Sequence, residues 1–339
     1  MIIIMKPKAS KEEISDLVSA IKEIKLKPVE FEGVERTVVH VLGDVTENIA
    51  NHFGSFNCVE NVVRIIKPFK LAGKEHHTQK TVVKVGDVSI GNGEVVVIAG
   101  PCSVESEEQI MESAEMLKKM GIKIMRASAF KPRTSPYDFQ GLGIKGLKLL
   151  KKVREKTGML VETEIMDVRD TAIAADYVDL LRVGARNMQN FDLLKELGKI
   201  NKPIILKRGM SATVNEFMMA AEYLLYHGNR NVILCERGIR TFETAAYRNT
   251  LDVGAVAALK NLTHLPVIVD PSHAAGNREL VGPLSKAAIA AGADGLLIES
   301  HPNPQKALSD GAQALYPEQL ATLLKELKPL CEAMGRKLA

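Results

Sequence analysis

The sequence predicts a (β/α)8 barrel preceded by a small ferredoxin-like domain. From Glu94 onward, eight short apolar runs alternate with helical stretches over about 240 residues, which matches such a barrel in count and length. The preceding residues follow the order strand, helix, strand, strand, helix, strand within about 65 residues, as in ferredoxin-like domains. A doubly wound open sheet is the alternative, but no Gly-x-Gly-x-x-Gly follows the first strand of the repeating region.

Residues 1–67 are predicted to form the small domain. Its first strand is the apolar run Met1–Met5, and Ser10 followed by Glu13 forms a capping box that starts a helix reaching about Lys25. The remaining predicted elements are the strands Leu26–Glu32, Arg36–Leu42 and Val59–Ile66 and the helix Val45–Phe53. No catalytic motif or metal-ligand spacing occurs here, so effector binding and a purely structural role both remain open.

Residues 68–93 are predicted to form a linker and a short hairpin, and residues 94–339 the barrel. The hairpin strands are Thr81–Val85 and Asp87–Ile90, on either side of Gly86. The predicted barrel strands are Val95–Ala99, Ile122–Met125, Leu160–Glu164, Leu180–Val183, Pro203–Leu206, Val232–Cys235, Val267–Val269 and Leu296–Ile298. The clearest helices between them are Glu107–Met120, Ile144–Lys156, Val214–Tyr226 and Leu280–Ala291.

Composition excludes several classes of protein. The 339 residues carry 45 basic and 41 acidic side chains, a net charge of +4 that gives no reason to expect a nucleic-acid surface. No apolar run approaches the roughly 18 residues of a membrane span. The four cysteines show no paired spacing, which predicts a reducing, cytoplasmic location.

Four side chains of metal-ligand type follow three strands that are neighbours in a closed barrel. Cys102 follows the first strand, His273 the seventh, and Glu299 the eighth, with Asp310 close behind. A lone cysteine or histidine at a strand end is more often a core or capping residue, but four at adjacent ends favour a metal site. Sulfur, nitrogen and two oxygens together suit a divalent ion such as Mn, Fe, Co or Zn.

The other strand ends are rich in cations. They are Arg126, Lys131 and Arg133 after strand two, Arg186 after strand four, Lys207 after strand five, and Arg237 after strand six. An isolated Lys-Pro-Arg is typical of a solvated turn, but a whole rim of cations is repulsive unless anions fill it. Arginine and lysine together indicate carboxylate and phosphate groups.

These features predict a metal beside an anion pocket. The metal would polarise a carbonyl while the cations hold a second substrate in line, and Lys131 would protonate the oxygen that develops charge. Glu164, at the end of strand three, is predicted to belong to the substrate-binding residues, where it would orient a cation or a water, or simply neutralise a cation.

Several motifs resemble the 3-deoxy-D-arabino-heptulosonate 7-phosphate (DAHP) synthase family, in the subgroup related to 3-deoxy-D-manno-octulosonate 8-phosphate (KDO8P) synthase. They are Ala-Gly-Pro-Cys-Ser at 99–103, Lys-Pro-Arg-Thr-Ser-Pro at 131–136, Gly-Ala-Arg-Asn-Met-Gln-Asn at 184–190, Cys-Glu-Arg-Gly at 235–238 and Asp-Pro-Ser-His at 270–273. The resemblance implies condensation of phosphoenolpyruvate with erythrose 4-phosphate, with release of phosphate, as the entry to aromatic amino acid synthesis.

The resemblance also implies roles for residues. The metal ligands would be Cys102, His273, Glu299 and Asp310, and the catalytic residues Lys131, Cys102 and His273. Phosphoenolpyruvate would be bound by Arg126, Lys131, Arg186, Lys207 and Arg237, with the backbone around Gly184 and Ala185. Arg133 and Thr134 would meet the aldose phosphate. Relatives further imply a homotetramer and feedback by tyrosine or phenylalanine at the small domain.

The sequence leaves two alternatives to this activity. KDO8P synthase, acting on arabinose 5-phosphate, is similar to Lys-Ala-Asn-Arg-Ser-Ser where this chain has Lys-Pro-Arg-Thr-Ser-Pro at 131–136, a difference that favours the four-carbon aldose. A non-catalytic anion- or metal-binding barrel is the second, and the intact ligand set argues against it.

The chain departs from the family pattern at Ala127-Ser128, where Gly-Gly is usual, and at Arg182, where Gln is more usual. Arg182 lies two residues before Gly184 and points the same way along a strand. We expect it to be buried and ion-paired.

Overall fold

The computed structural model describes residues 1–33, 36–43, 45–63, 68–75, 77–243 and 245–339. The chain divides into two compact units, Met1–His76 and His77–Ala339. The predicted boundary residue 67 lies outside the described residues, so the exact domain limits remain a prediction.

The first unit has the predicted ferredoxin-like arrangement. Its strands are β1 (Ile2–Met5), β2 (Lys27–Glu32), β3 (Thr37–Leu42) and β4 (Val59–Val63), and its helices are α1 (Lys11–Glu23) and α2 (Glu47–Gly54). The sheet is antiparallel in the order β2-β3-β1-β4. The predicted capping box is confirmed, since the Ser10 side chain accepts from the amide of Glu13, whose carboxylate accepts from Ser10 N. Residues 64–66 of the fourth predicted strand lie outside the described residues.

The predicted hairpin belongs to the core of the second unit. Its strands are β5 (Val83–Val85) and β6 (Val88–Ile90), joined through Gly86 at φ +56°. Its apolar side chains join one buried cluster with Ile124 and Leu180, each the first residue of a barrel strand. The hairpin therefore packs against the amino-terminal ends of the barrel strands.

Eight parallel strands close the predicted barrel. They are β7 (Val96–Gly100), β8 (Ile124–Arg126), β9 (Leu160–Ile165), β10 (Leu180–Val183), β11 (Ile204–Lys207), β12 (Val232–Glu236), β13 (Val267–Val269) and β14 (Gly295–Glu299). Each pairs with the next, and β14 pairs with β7. All eight predicted strands are confirmed to within two residues at each end.

Helices alternate with these strands in the second unit. They are α3 (Glu107–Lys119), α4 (Ile144–Thr157), α5 (Thr171–Tyr177), α6 (Phe191–Lys199), α7 (Val214–Tyr226), α8 (Val253–Leu262), α9 (Pro271–Ala275), α10 (Arg278–Ala290) and α11 (Pro317–Ala333). Of all helices in the described ranges, none combines the length and apolar character needed to cross a membrane.

The inward-facing side chains change from apolar to charged along the barrel strands. The lower layer is an apolar cluster that includes Ile124, Leu180, Ile205, Ile268 and Leu297. Because side chains two residues apart on a strand share a face, the next inward positions point into the barrel as well. Those positions are Arg126, Arg182, Lys207, Asp270 and Glu299. The carboxyl ends of the strands therefore enclose a buried layer of charges.

Candidate active site

A cavity of about 330 Å³ opens above this charged layer. Nine of the ten residues that the sequence predicts to bind substrate line it: Lys131, Arg133, Thr134, Glu164, Gly184, Ala185, Arg186, Lys207 and Arg237. Two predicted metal ligands, His273 and Asp310, lie on the same wall. The structure thus brings the predicted anion pocket and the predicted metal site together.

Three of the four predicted metal ligands form one cluster. The ligand atoms of Cys102, Glu299 and Asp310 all lie within 4.8 Å of one another. Cys102 Sγ donates to Asp310 Oδ2 at 3.1 Å. Asp310 adopts φ +50°, a left-handed conformation that is uncommon for residues other than glycine. The hydrogen bond from the Cys102 thiol is the contact that holds the Asp310 carboxylate in the cluster.

The fourth predicted ligand, His273, borders this cluster through one ring nitrogen. Its Nε2 lies 3.4 Å from Glu299 Oε1, and its Nδ1 lies 2.7 Å from Asp270 Oδ2. Burial, opposed by Asp270 and Glu299, lowers the pKa of His273 to about 4, so the ring is neutral at neutral pH. With Nδ1–H donating to Asp270, the Nε2 lone pair is free to bind a metal.

The donor set fits a divalent ion. It comprises a thiol, an imidazole and two carboxylates, and Cys102 and Glu299 are buried. Burial raises the pKa of the Cys102 thiol to about 12, an effect that Glu299 adds to and Lys131 opposes. The thiol is therefore protonated in this structure and would lose its proton to a bound metal.

Lys131 connects the ligand cluster to the cavity. Its Nζ donates to Cys102 Sγ and lies 3.3 Å from Asp310 Oδ2. Burial acts to lower the pKa of Lys131, but Cys102, Glu299 and Asp310 raise it above its usual value. The side chain is only 6% exposed, so its ammonium is a positioned proton donor at the edge of the metal site.

Arg126 is the one predicted substrate-binding residue that does not line the cavity. It is fully buried, with Nη2 3.0 Å from Glu299 Oε1 and Nη1 3.8 Å from Asp270 Oδ2. Its Nε and Nη1 have no hydrogen-bond partner within the described ranges. Lys207, which does line the cavity, pairs with Asp270, and burial lowers the pKa of its ammonium.

The remaining polar side chains around the cavity differ in burial and in how they are held. Arg237 Nη2 donates to the carbonyl oxygen of His273 at 3.2 Å, while its buried Nη1 has no hydrogen-bond partner among described residues. Arg133 pairs with Asp138 at 3.0 Å. Thr134 and Arg186 are exposed. The cavity wall therefore offers an anion one buried guanidinium nitrogen of Arg237, unpaired within the described part of the chain, together with the exposed side chains of Thr134 and Arg186.

Glu164 packs unusually close to the backbone of the neighbouring strand. Its Oε1 occupies the space beside Gly184, where a Cβ would lie only 2.0 Å away. Burial acts to raise the pKa of Glu164, but Arg182 and Lys131 lower it below its usual value. An ionised carboxylate thus faces the cavity amid cations.

Sequence reasoning missed several residues around the site. Arg240 and Arg248 line the cavity, and Arg248 Nη1 lies 3.4 Å from Asp310 Oδ1. Gln313 donates to Glu299 Oε2. Both arginines lie in the long connection between β12 and α8, several residues beyond the strand end where the motifs were sought. The arginines of that connection were the sequence feature that could have identified it as part of the anion pocket.

Comparisons with known proteins agree with this geometry. The model of the DAHP synthetase I family matches residues 73–335, and that of the DAHP synthase ferredoxin-like domain matches residues 1–67. A phospho-2-dehydro-3-deoxyheptonate aldolase of Thermotoga maritima is 50% identical, covering 99% of each chain. A 2-dehydro-3-deoxyphosphooctonate aldolase of Syntrophotalea carbinolica is 34% identical, covering 72% of this chain and 94% of its own.

Solved structures give the same result. The crystal structure of the Thermotoga maritima phospho-2-dehydro-3-deoxyheptonate aldolase (DAHP synthase) superposes with a TM-score of 0.79 at 49% identity, covering 100% of this chain and 99% of the other. A truncated form of 3-deoxy-D-arabino-heptulosonate 7-phosphate synthase from the same organism gives 0.74 over 79% of this chain and 98% of its own.

Proposed function

Because the chain belongs to the DAHP synthetase I family, we propose that its barrel condenses phosphoenolpyruvate with erythrose 4-phosphate to give DAHP and phosphate, the first step of the shikimate pathway. One observation in the structure carries this proposal. A cluster of sulfur, nitrogen and oxygen donors adjoins a cavity lined by lysine and arginine side chains. Such a site accommodates a carbonyl to be activated and an anionic partner to be held in line with it.

The inner cations suit phosphoenolpyruvate. Lys131, Lys207 and Arg237 are almost completely buried yet line the cavity, with Arg186 at its exposed side and the backbone of Gly184 and Ala185 between them. Buried cations interact strongly with carboxylate and phosphate groups because little water screens them. Arg126 acts from below, since its contacts with Glu299 and Asp270 fix the charged layer on which the cavity rests.

The outer side of the cavity suits the aldose phosphate. Arg133 and Thr134 lie on the loop that follows β8, and Arg133 contributes a guanidinium held by Asp138. An aldose phosphate bound there would lie beside the ligand cluster, because Lys131 on the same loop contacts Cys102 and Asp310.

Cys102, His273, Glu299 and Asp310 would hold one divalent ion of the Mn, Fe, Co or Zn type. When bound, the ion supplies Lewis-acid polarisation of the aldehyde carbonyl. Asp270 accepts from His273 Nδ1 and thereby keeps Nε2 available as a ligand.

The chain's own residues then account for the proton transfers. C3 of phosphoenolpyruvate attacks the aldehyde carbon, and Lys131 protonates the oxygen that develops charge there. Water adds to the resulting cationic C2, and Glu164 orients that water and accepts its proton. The C2–O bond to phosphate then breaks while the proton of the new C2 hydroxyl passes to the departing phosphate, which leaves the 2-keto group of the product.

KDO8P synthase is not favoured as the alternative. The Syntrophotalea relative is less similar and matches only 72% of the chain, whereas the Thermotoga relative matches nearly all of it. A non-catalytic barrel is not favoured either, because the ligand cluster and the cation-lined cavity coexist in one place.

Phosphate release from phosphoenolpyruvate tests the proposed function. Release should require erythrose 4-phosphate, stop when a chelator is added, and resume when divalent metal is restored. Faster turnover with arabinose 5-phosphate would overturn the substrate assignment.

We also propose a regulatory role for the ferredoxin-like domain, with an aromatic amino acid as effector. The domain is a separate compact unit that matches the DAHP synthase ferredoxin-like domain. We further propose a homotetramer, by likeness to the family.

The four free cysteines suit a reducing, cytoplasmic compartment.

A further inference from the structure

A buried group of four residues forms part of the cavity floor, and we refer to it as the Arg182 cluster. It consists of Arg182 with Ser128, Glu162 and Glu164. Arg182 Nε lies 2.7 Å from Glu162 Oε1, Nη1 lies 3.3 Å from Glu164 Oε2, and Nη2 donates to Ser128 Oγ at 2.7 Å. Arg182 is 1% exposed, so the expected burial and ion pairing are confirmed.

Strand register explains why these side chains meet. Arg182 on β10 and Glu164 on β9 are paired directly across the sheet. Glu162 precedes Glu164 by two residues and so shares its face, and Ser128 follows the adjacent strand β8. Three neighbouring strands therefore converge on one guanidinium, all three nitrogens of which have a partner. The planar guanidinium cannot turn without losing one of these contacts.

Glu164 and Arg182 are the members of the cluster that line the cavity, and the Glu164 carboxylate is the group available there to accept a proton. On one side this carboxylate contacts Arg182, and on the other it fills the space that a Cβ on Gly184 would occupy. The other titratable groups that act on it are Lys131, Lys207 and His273, which come from three separate parts of the chain around the cavity. Glu164 is therefore confined to one orientation, and Arg182 is its one ion-pair partner within 4 Å among the described residues.

We propose that Arg182 is a positioning residue for the condensation, holding the Glu164 carboxylate over Gly184 so that it can accept a proton from the water that adds to C2. In that step the water oxygen forms a bond to C2 and one O–H bond breaks. The proton passes to Glu164 and returns to solvent after phosphate leaves. This inference rests on the proposed function, because it assumes the phosphoenolpyruvate chemistry described above.

The electrostatics of the cluster agree with this role. Burial acts to raise the pKa of Glu164, and Arg182 is the strongest of the opposing influences, ahead of Lys131, Lys207 and His273. Without Arg182, the pKa of Glu164 would be higher and its carboxyl would stay protonated up to a higher pH. A protonated carboxyl cannot accept the proton from the water. The defect should therefore be pH-dependent, whereas loss of stability alone would not alter the pH profile of the folded enzyme.

The test compares pH profiles of kcat for phosphate release in the metal-loaded, full-length protein. In Arg182→Gln the acid limb should move to higher pH by about one unit or more, so that activity below the limb falls at least about tenfold. Arg182→Lys, which keeps the charge, should restore part of the shift. Glu164→Gln should lower kcat and remove this limb, and adding Arg182→Gln to it should cause little further loss in kcat.

Arg208→Gln is the matched control. Arg208 is also buried, follows the adjacent strand β11 and pairs with Glu236 and Asp252, both at 2.9 Å, but unlike Arg182 it does not line the cavity. Its substitution should reduce thermal stability and leave the acid limb in place.

Ser128→Ala keeps the inference testable if Arg182→Gln does not fold, since it removes a single hydrogen bond from Arg182. The acid limb of kcat in Ser128→Ala should move to higher pH, as in Arg182→Gln, but by a smaller amount. Wild-type phosphate release with erythrose 4-phosphate, measured first, tests the proposed function separately. If the wild type is active and the limb stays in place in every folded Arg182 and Ser128 variant, the inference about Arg182 is wrong and the proposed function stands.

Discussion

Asp270→Asn should weaken metal binding and the fold together, because Asp270 joins the predicted metal site to the charged layer beneath it. The carboxylate is fully buried and lies 2.7 Å from His273 Nδ1. It also accepts from the backbone N of His273 at 2.8 Å and pairs with Lys207 and Arg126. The substitution keeps the shape of the side chain but removes the negative charge among these groups.

Two magnitudes follow from these contacts. Loss of a hydrogen-bonded carboxylate behind a ligand histidine typically reduces metal affinity about 10- to 100-fold. Removing one partner from a buried ion pair costs about 3–5 kcal/mol of unfolding free energy, because the remaining charges of Lys207 and Arg126 stay buried. Metal affinity is measured by competition with a chromophoric chelator at pH 7.5, and stability by denaturant unfolding of the metal-free protein.

Asp294→Asn provides the matched control. Asp294 is also buried and pairs with Lys260 and Arg336, but it immediately precedes β14, at the amino-terminal end of the barrel. This variant should lose stability and bind metal normally. Unchanged metal affinity in Asp270→Asn would refute the support of His273 by Asp270. An unchanged unfolding free energy in Asp270→Asn would refute the claim that Asp270 stabilises the buried charges of Lys207 and Arg126.

Three further predictions concern the ligand cluster and the small domain. Cys102→Ala should abolish activity and bound metal together, measured by phosphate release and metal analysis, while Cys331→Ala, a buried cysteine on α11, keeps both; full activity without Cys102 would contradict the ligand set. Because the pKa of His273 is lowered to about 4 from 6.5, the unfolded chain binds a proton between those values that the folded chain does not. The unfolding free energy of the metal-free protein should therefore fall as pH decreases from 7.5 to 5, with about 2 kcal/mol of the loss due to this residue and absent from His273→Gln. An equal pH dependence in both proteins would argue against the buried neutral imidazole. Deletion of residues 1–67 should leave a folded, active barrel that tyrosine and phenylalanine no longer inhibit; an intact protein that ignores both amino acids would contradict the effector proposal.

The barrel was readable from the sequence because its strands are buried on both faces. Parallel strands of this kind are continuous apolar runs, as in Val96–Gly100, and they contrast with the helices between them. The β/α alternation then fixes which strands are neighbours, so that residues distant in sequence, such as Cys102 and Asp310, can be placed together. Their proximity in the structure follows from that topology.

Contacts made by long side chains from loops or from several strands could not be predicted from the sequence. Arg248 lies beyond the strand end in a long connection, and only the folded loop brings its guanidinium to Asp310. The burial of Arg182 was expected from its spacing to Gly184, but its hydrogen bond to Ser128 depends on three strands at once. Ser128 stands where glycine is usual in the family, and the sequence alone offers no reason for it. In the structure its hydroxyl accepts the hydrogen bond from Arg182.

Product mass tests the central claim most directly. The metal-loaded enzyme is given limiting phosphoenolpyruvate with equal concentrations of erythrose 4-phosphate and arabinose 5-phosphate, and the products are separated by mass spectrometry. The proposed site predicts that the seven-carbon sugar acid phosphate dominates and that it disappears when the metal is removed. A dominant eight-carbon product, or consumption of phosphoenolpyruvate without either sugar product, would contradict it.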